Sequence, residues 1–178
     1  MLKNILGAVA IITAVVLLPF VSSYFSQKEY IKINREIKST LFDSYNEKNI
    51  LVFFGYVGCV DICTPRLEEL SLIYEKLKKA KIEAHVLFIN LSKLEDPELA
   101  DLFVKSFHKE FEGIYLNKSE LNSLKREFNV YSAPSLGRSA DLDHTAFLYL
   151  LKKNDFKYYL NKIYTKTPFH VSIIDNDI

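Results

Sequence analysis

The sequence predicts an α/β fold in which a mostly parallel sheet carries helices on both of its faces. Residues 50–54 and 84–89 are short, β-prone and almost wholly apolar runs, which is typical of strands buried on both sides. The segments that follow them carry apolar residues at helical spacing, and the chain then shows the pattern of a hairpin. Strands that alternate with helices in this way favour a sheet that helices cover.

The first strand leads into a predicted helix. The run at 50–54 ends at Gly55, where a loop begins. Thr64 has the residue type of a helix N-cap and Pro65 that of a first helical position, so we expect a helix that continues to about Ala80. The apolar face of this helix consists of Leu67, Leu70, Ile73 and Leu77.

The strand at 84–89 precedes a second predicted helix. Asp96 and Pro97 are typical of a helix start, and Gly113 is typical of a helix end. The residues expected to point inward from this helix are Leu99, Leu102, Phe103, Phe107 and Phe111.

The last elements complete the predicted sheet. A short strand at 114–116 leads to Asn117 and Glu120, a capping pair that predicts a helix to about Phe128. Residues 145–151 then predict a strand, 152–155 a turn and 156–160 its hairpin partner. The order of these elements corresponds to a thioredoxin-like sheet with flanking helices.

The N-terminus carries an apolar segment, because residues 5–21 contain no charge and Lys3 precedes them. Such a run is just long enough for a transmembrane helix, and it exceeds the apolar region of an ordinary signal peptide, so we favour a retained anchor over a cleaved signal. A basic start favours export of the domain, whereas the positive-inside rule favours the opposite orientation. The basic residues that follow the segment are Lys28, Lys32, Arg35 and Lys38.

These patterns divide the chain into a membrane anchor or signal segment at 1–26, a tether at 27–48, a thioredoxin-like domain at 49–164 and a C-terminal tail at 165–178. Within the tether, Ile31 and Ile33 alternate with polar residues as in a short strand, although a helix fits as well. The tail has the composition of a loose segment.

Composition narrows the classes of partner. With 23 Lys and Arg residues against 22 Asp and Glu residues, the chain has a net charge of +1, which gives no electrostatic basis for binding nucleic acid. Phe and Tyr are plentiful and Gly and Pro are scarce, so the chain is able to build a packed core.

Cys59 and Cys63 are the two cysteines of the chain, and they lie in the loop between the first strand and the first helix. Loops at the carboxyl ends of strands are where open α/β sheets bind ligands, and a helix N-terminus is expected to lower the pKa of both thiols. Two nearby thiolates are soft ligands that select Cu(I) or Zn over Mg or Ca, but the pair is also able to form a disulfide. A closed zinc site needs four ligands, and a disulfide across so short a loop adds little stability.

His144 is the candidate third ligand. It lies at the entrance to the strand that precedes the hairpin, which faces the cysteine loop in a thioredoxin-like sheet, and Asp143 is a candidate to orient its ring. We expect His85, His108 and His170 to be structural or incidental, because they lie in a strand, on a solvated helix face and in the tail.

These residues resemble the pattern of the Sco/SenC family. The family pattern is a strand, Phe-Gly-Tyr, Cys-Pro-Asp-x-Cys-Pro and, far downstream, Asp-His followed by Ser or Thr. The matching positions in this chain are Phe54, Gly55 and Tyr56, then Cys59, Asp61 and Cys63, and lastly Asp143, His144 and Thr145. Val60 and Thr64 replace the two prolines, and the Asp-Pro dipeptide usual after the second strand is absent.

The resemblance implies a function. Sco/SenC proteins are membrane-tethered, thioredoxin-like copper chaperones of cytochrome c oxidase assembly, so Cys59, Cys63 and His144 would bind a copper ion. The expected partner is a membrane-bound oxidase subunit or another copper client that contains cysteines, and the domain would face the periplasm or a mitochondrial intermembrane space. The alternative is a membrane-anchored thiol-disulfide oxidoreductase that uses Cys59 and Cys63 as a redox pair, and whether the chain is an enzyme stays open.

A second alignment competes with the one through His144. Residues 128–136 resemble the thioredoxin segment that places a proline, here Pro134, opposite the redox pair. That alignment would move His144 away from the sulfurs. We favour the histidine alignment, because a buried strand should follow such a proline at once, whereas the apolar run begins only at Thr145.

Overall fold

The computed structural model describes residues 13, 15–17, 30–94, 96–136, 142–169, 174 and 178. Between Tyr30 and Tyr164 the elements are β1 (Tyr30–Glu36), a 3-10 helix (Thr40–Ser44), β2 (Asn49–Gly55), α1 (Cys63–Lys79), β3 (His85–Asn90), α2 (Leu99–Lys105), β4 (Glu112–Ile114), α3 (Lys118–Phe128), β5 (Ser132–Pro134), β6 (Leu142–His144), β7 (Leu148–Asn154) and β8 (Lys157–Tyr164). Six of the strands form one sheet in the order β1-β8-β7-β2-β3-β4, and β5 pairs with β6 in a separate two-stranded sheet.

The six-stranded sheet is mixed, whereas the sequence predicts a mostly parallel one. Strands β2, β3 and β4 are parallel to one another, but β7, β8 and β1 add to the sheet by antiparallel pairing. The two-residue turn makes β7 and β8 antiparallel, as the predicted hairpin requires, and the further antiparallel pairing of β7 with β2 and of β1 with β8 makes the sheet mixed.

Strand β2 lies in the middle of the sheet and is buried along its whole length. Because successive side chains of a strand point to opposite faces, Leu51 and Phe53 belong to one core cluster while Val52 and Phe54 belong to the other. Helix α1 covers the first face with the four predicted residues, which are Leu67, Leu70, Ile73 and Leu77. Helix α3 covers the opposite face, so the prediction of helices on both faces is confirmed.

Helix α2 is shorter than predicted. It ends at Lys105, and Leu102, which we expected to be buried, is 61% exposed. Phe111 is buried, but it lies in the loop before β4 instead of on a helix. Gly113 allows β4 to pack directly against the backbone of α2, because a β-carbon at position 113 would lie 2.1 Å from the main-chain oxygen of Ala100.

The other predicted elements differ in detail. Asn117 and Glu120 form the predicted capping box of α3. The hairpin lies about three residues later than predicted, and Lys153 is part of β7 instead of the turn, because its backbone pairs with that of Tyr158 in β8. The ammonium group of Lys153 also donates to the main-chain oxygen of Tyr45 at 2.7 Å. Asp155 occupies the turn with a φ of 54°.

The segments on either side of the predicted domain take part in its packing. Strand β1 lies within the segment 27–48 that the sequence assigns to a tether, and it pairs with β8 at the edge of the sheet. In the tail, Phe169 and Ile174 are buried in the same core cluster as α1, so these described residues are packed instead of loose.

The predicted anchor at 1–26 lies outside the described residues except for 13 and 15–17. In the described part of the chain, the structure contains no helix with the length and apolar character that a bilayer crossing requires.

Candidate metal centre

The cysteine loop starts at the carboxyl edge of the sheet, where β2 and β3 end side by side. Gly55 and Asn90 are partners in the parallel register of these two strands. The amide of Leu91 donates to the carbonyl of Gly55 at 2.7 Å, and the side-chain oxygen of Asn90 accepts the amide of Val57 at 3.2 Å. Asn90 is fully buried, so this amide side chain fixes the base of the loop to the neighbouring strand.

Helix α1 begins at Cys63, with Ile62 at the N-cap position. The prediction of Thr64 as N-cap is therefore wrong. The sulfur of Cys59 accepts the amide of Cys63 at 3.3 Å and so takes the place of a capping oxygen. The hydroxyl of Thr64 instead donates to the carbonyl of Cys59 at 3.1 Å, which holds the loop against the first turn of the helix.

The two-stranded sheet brings His144 to the cysteines. Ser132 of β5 and His144 of β6 are partners in its register, and beyond them the amide of Thr145 donates to the carbonyl of Tyr131 at 3.0 Å. The Nε2 atom of His144 lies 3.5 Å from the sulfur of Cys63 and 4.0 Å from that of Cys59. The alignment through His144 is thus confirmed over the one that moved this ring away from the sulfurs.

The ring of His144 has one defined orientation. Its Nδ1 atom lies 3.2 Å from the carbonyl of Thr145, and its Nε2 atom faces the two sulfurs. The ring of Tyr56 packs edge-on against the imidazole at a centroid distance of 5.7 Å. Asp143 is exposed, and the carbonyl of Thr145 takes the orienting role that we expected of this carboxylate.

The three side chains have the dimensions of a soft-metal site. One ligand atom each from Cys59, Cys63 and His144 lies within 4.8 Å of the other two. Bonds of about 2.3 Å to sulfur and about 2.0 Å to nitrogen place the donor atoms of a planar three-coordinate site roughly 3.7 Å apart. The sulfur-to-nitrogen distances in the apo arrangement, 3.5 and 4.0 Å, therefore fit a shared ion with little movement.

The two thiols differ in their acidity. Hydrogen bonds, first from the thiol of Cys63 and then from His144 and the backbone, lower the pKa of Cys59 to about 4. The pKa of Cys63 is raised, because its thiol donates to the sulfur of Cys59 and because it is buried. The expectation that the helix N-terminus lowers the pKa of both thiols is wrong for Cys63. The pair therefore carries one thiolate and one thiol at neutral pH.

The other described histidines make structural contacts, as expected, but His108 lies beyond the end of α2 with a side chain only 9% exposed, so its predicted place on a solvated helix face is wrong. The Nε2 atom of His85 lies 2.9 Å from the carboxylate of Glu112, and that of His108 lies 2.8 Å from the carboxylate of Glu75. His170 lies outside the described residues.

Sequence comparison places the chain in a family. Residues 27–171 match the sequence profile of SCO1/SenC. The chain belongs to the SCO1/SenC family. The SCO2-like protein of Rickettsia felis is 32% identical over 131 residues, which cover 71% of this chain and 63% of that protein. The mitochondrial SCO1 of Saccharomyces cerevisiae is 28% identical over 120 residues, which cover 61% of this chain and 41% of that protein.

Solved structures of SCO1/SenC proteins share the fold. Copper-bound yeast Sco1 is 25% identical, with a TM-score of 0.59 over 72% of this chain and 75% of the yeast chain. Copper-bound ScoI of Bradyrhizobium japonicum is 27% identical, with a TM-score of 0.52 over 70% of this chain and 76% of the other. Copper-bound ScoI of Arabidopsis thaliana, at 24% identity and a TM-score of 0.62, covers 73% of this chain and 81% of its own. The thioredoxin-like Sco fold is confirmed.

Three residues that support the site were not identified as such from the sequence. Asn90 holds the base of the loop, Gly55 gives the sulfur of Cys63 room, and Ser132 pairs with His144 across β5 and β6. The sequence signal available for Asn90 is an amide residue at the end of an apolar, strand-like run. The pairing of three-residue strands gives no comparable signal.

Proposed function

We propose that the chain is a copper chaperone, which binds Cu(I) between the sulfurs of Cys59 and Cys63 and the Nε2 atom of His144. The observation that carries the proposal is the convergence of these three donors from positions 59, 63 and 144 on one edge of the sheet. Two thiolates and an imidazole prefer a soft ion such as Cu(I). The matched residues span about 63% of the length of the SCO2-like proteins of Rickettsia felis and Rickettsia conorii. A copper-chaperone activity of this chain is therefore proposed and not taken over from these relatives.

The protonation states of the apo site suit Cu(I) loading. Cys59 offers a thiolate, the Nε2 atom of His144 faces both sulfurs, and the thiol of Cys63 has to release its proton when the ion binds. Both sulfurs are buried, at 4% and 0% exposure, which keeps water and oxidants from the bound ion. His144 is partly exposed, whereas both cysteines are buried, so its side of the site is the one open to an acceptor.

Delivery of copper to a membrane-bound oxidase subunit is the second part of the proposal. BsSco, whose structure is similar to this fold at 15% identity, is a member of the Sco family of cytochrome c oxidase assembly proteins. The client would hold copper through cysteines, because a soft ion moves between sites through shared soft ligands. The apolar segment at 1–26 would anchor the domain to the same membrane as its client, on the periplasmic or intermembrane-space side.

A Cu(I) titration of the full chain against a competing chelator tests the ligand set. We expect one Cu(I) per chain and an affinity that falls by at least ~10²-fold in Cys59→Ser, Cys63→Ser and His144→Ala. His108→Ala is the matched control, since its imidazole bonds to Glu75. If Cys59→Ser still binds one Cu(I) per chain with the affinity of the wild type, the proposed ligand set is wrong. In the Cu(II)-loaded protein, a sulfur-to-copper charge-transfer band should shift in His144→Ala.

A thiol-disulfide oxidoreductase is a second candidate, which the low pKa of Cys59 favours. The Cys59 thiolate would attack a partner disulfide and release one partner thiolate. Cys63 would then attack the mixed disulfide, so that the partner leaves with two thiols and the chain with a disulfide. An insulin-reduction assay with added dithiol separates the candidates, because this activity requires Cys63 but not His144. Robust reduction by His144→Ala favours the oxidoreductase.

A further inference from the structure

A lysine side chain is bonded to the strand pair that carries His144. Lys125 lies in the last turn of α3, and its ammonium group donates to the hydroxyl of Ser132 at 2.6 Å. The carbonyl of the same residue accepts the amide of Val130 at 2.8 Å. Lys125 therefore holds the short connection from α3 into β5 at two points. The proposed set of copper ligands does not include this residue.

The bond from Lys125 reaches the candidate metal centre through the pairing of β5 with β6. Ser132 and His144 are directly opposite each other in the register, so their side chains project from the same face of the pair, with β-carbons about 5 Å apart. Next to them, the amide of Thr145 donates to the carbonyl of Tyr131 at 3.0 Å, and the amide of Tyr131 donates to the hydroxyl of Thr145 at 3.0 Å. A displacement of β5 would therefore displace the imidazole of His144 as well.

The ammonium group of Lys125 is a positive charge close to the candidate metal centre. The bond to Ser132 and the spacing of the paired strands place it within roughly 10 Å of the β-carbon of His144. The side chain is partly buried, and among the residues that the structure describes it forms no ion pair with a carboxylate. The exposed carboxylates of Asp61 and Asp143 lie next to the ligands in sequence and act in the opposite direction. A change at position 125 leaves both carboxylates in place, so it measures the charge of the lysine alone.

We propose that Lys125 is a positioning residue of the copper site, which fixes the strand pair of His144 through Ser132 and whose charge stabilises the Cu(I) state over the Cu(II) state. The inference rests on the proposed copper function. Two thiolates, an imidazole and Cu(I) together carry one negative charge, whereas the same ligands with Cu(II) carry none. A nearby cation lowers the free energy of the negatively charged state and has little effect on the neutral one. Lys125 thus favours the oxidation state that two sulfur ligands already prefer.

Variants of the full chain that differ in charge at position 125 test the electrostatic effect. Lys125→Met keeps the aliphatic stem and removes the ammonium group, so we expect the Cu(I) affinity to fall about tenfold while the Cu(II) affinity stays the same. The Cu(II)/Cu(I) reduction potential should then fall by about 59 mV, which equals a tenfold change for one electron. Lys125→Arg retains the charge and should keep a potential near that of the wild type. The control is Lys118→Met, which removes an exposed lysine from the first turn of the same helix. An unchanged potential in Lys125→Met, or an equal fall in Lys125→Arg, would overturn the role of the charge.

Hydrogen exchange in the metal-free chain tests the positioning effect without copper. Lys125→Met and Ser132→Ala each remove the bond between these two side chains, so the amide of Thr145, which bonds across the strand pair, should exchange about fivefold faster. The amide of Leu91, which bonds to the carbonyl of Gly55, should keep its exchange rate and so show that the domain remains folded. Unchanged exchange of Thr145 in both variants would refute the positioning effect while the copper site stands. If the unmodified chain binds no Cu(I), the proposed function itself fails, and the exchange result is unaffected.

Discussion

The sulfur of Cys63 lies so close to Gly55 that a β-carbon at position 55 would come within 2.7 Å of it. The same β-carbon would lie 2.8 Å from the ring of Phe88, which is fully buried. Neither neighbour is at the end of a flexible side chain that is free to move away. The last residue of β2 therefore sets the position of the second cysteine, although the two residues lie in different elements.

The change Gly55→Ala tests this contact. We expect a loss of about 1–3 kcal/mol in the free energy of unfolding, because the methyl group overpacks the site. The displaced sulfur should also lower the Cu(I) affinity by ~10-fold or more. Chemical denaturation and chelator competition measure the two effects. Ile73→Val, a buried change in α1, is the control that loses about 1 kcal/mol without loss of affinity. Normal Cu(I) affinity in Gly55→Ala would contradict the prediction.

Asn90 provides a second test of how the loop is held. Its side chain accepts from the amide of Val57 and donates to the carbonyl of Ser92 at 2.6 Å, so Asn90→Ala leaves buried groups without these partners. We expect the free energy of unfolding to fall by about 1–3 kcal/mol and the Cu(I) affinity to fall with it. Asn49→Ala is a matched control, because it removes a buried side-chain bond to the carbonyl of Glu83 at the opposite end of β2. An equal loss of affinity in both variants would show that Asn90 has no specific role at the site.

The sequence predicts the parts of the fold that depend on local patterns. The buried strand β2 follows from a run of apolar residues, and the start of α3 follows from Asn117 and Glu120, which satisfy each other's backbone groups within one turn. The cysteine pair is recognisable because both residues lie in one loop.

Other parts depend on contacts between distant residues, and the sequence does not reveal them. His144 was identified from its place in the predicted thioredoxin-like sheet and from the family resemblance, and its actual position depends on pairing with Ser132 across strands of three residues. Helix α1 begins earlier than predicted because the sulfur of Cys59 caps it, which no propensity scale includes. The raised pKa of Cys63 arises from its neighbour and its burial, whereas the helix N-terminus alone predicts the opposite direction.

The tail is expected to stabilise the domain, contrary to its loose composition. Phe169 is 5% exposed, its ring packs against the guanidinium of Arg66 at 5.5 Å, and its amide donates to Glu69. Phe169→Ala should therefore lower the free energy of unfolding by about 3 kcal/mol. Phe156→Ala removes the same side chain at a position that is 92% exposed and should change stability by less than about 0.5 kcal/mol. Denaturation curves that coincide for the two variants would mean that the tail contributes nothing.

The unequal pKa values of the two cysteines predict the titration of the metal-free protein. Cys59, with a pKa of about 4, should already be a thiolate at pH 6, whereas Cys63 should stay protonated well above pH 9. The ultraviolet absorbance of thiolate should accordingly show one thiolate per chain across the neutral range. In Cys63→Ala the donor to Cys59 is lost, so the remaining thiol should titrate at a higher pH. Two thiolates that appear together near the ordinary pKa of 9 would contradict the assignment.

The same shift makes the stability of the metal-free domain depend on pH. The folded state lowers the pKa of Cys59 from 9 to about 4, so between these values the unfolded chain binds a proton that the folded chain does not. The contribution of Cys59 is fully present above pH 9 and is lost as the pH falls towards 4. Cys63, whose pKa is raised, has the opposite effect, and it acts only above pH 9, where the unfolded thiol ionises first. Denaturation of the wild type and of Cys59→Ala at pH 5 and pH 8 measures the contribution of Cys59. The wild type should exceed the variant in free energy of unfolding by more at pH 8 than at pH 5. If this difference between the two proteins does not change with pH, Cys59 is not ionised in the folded protein.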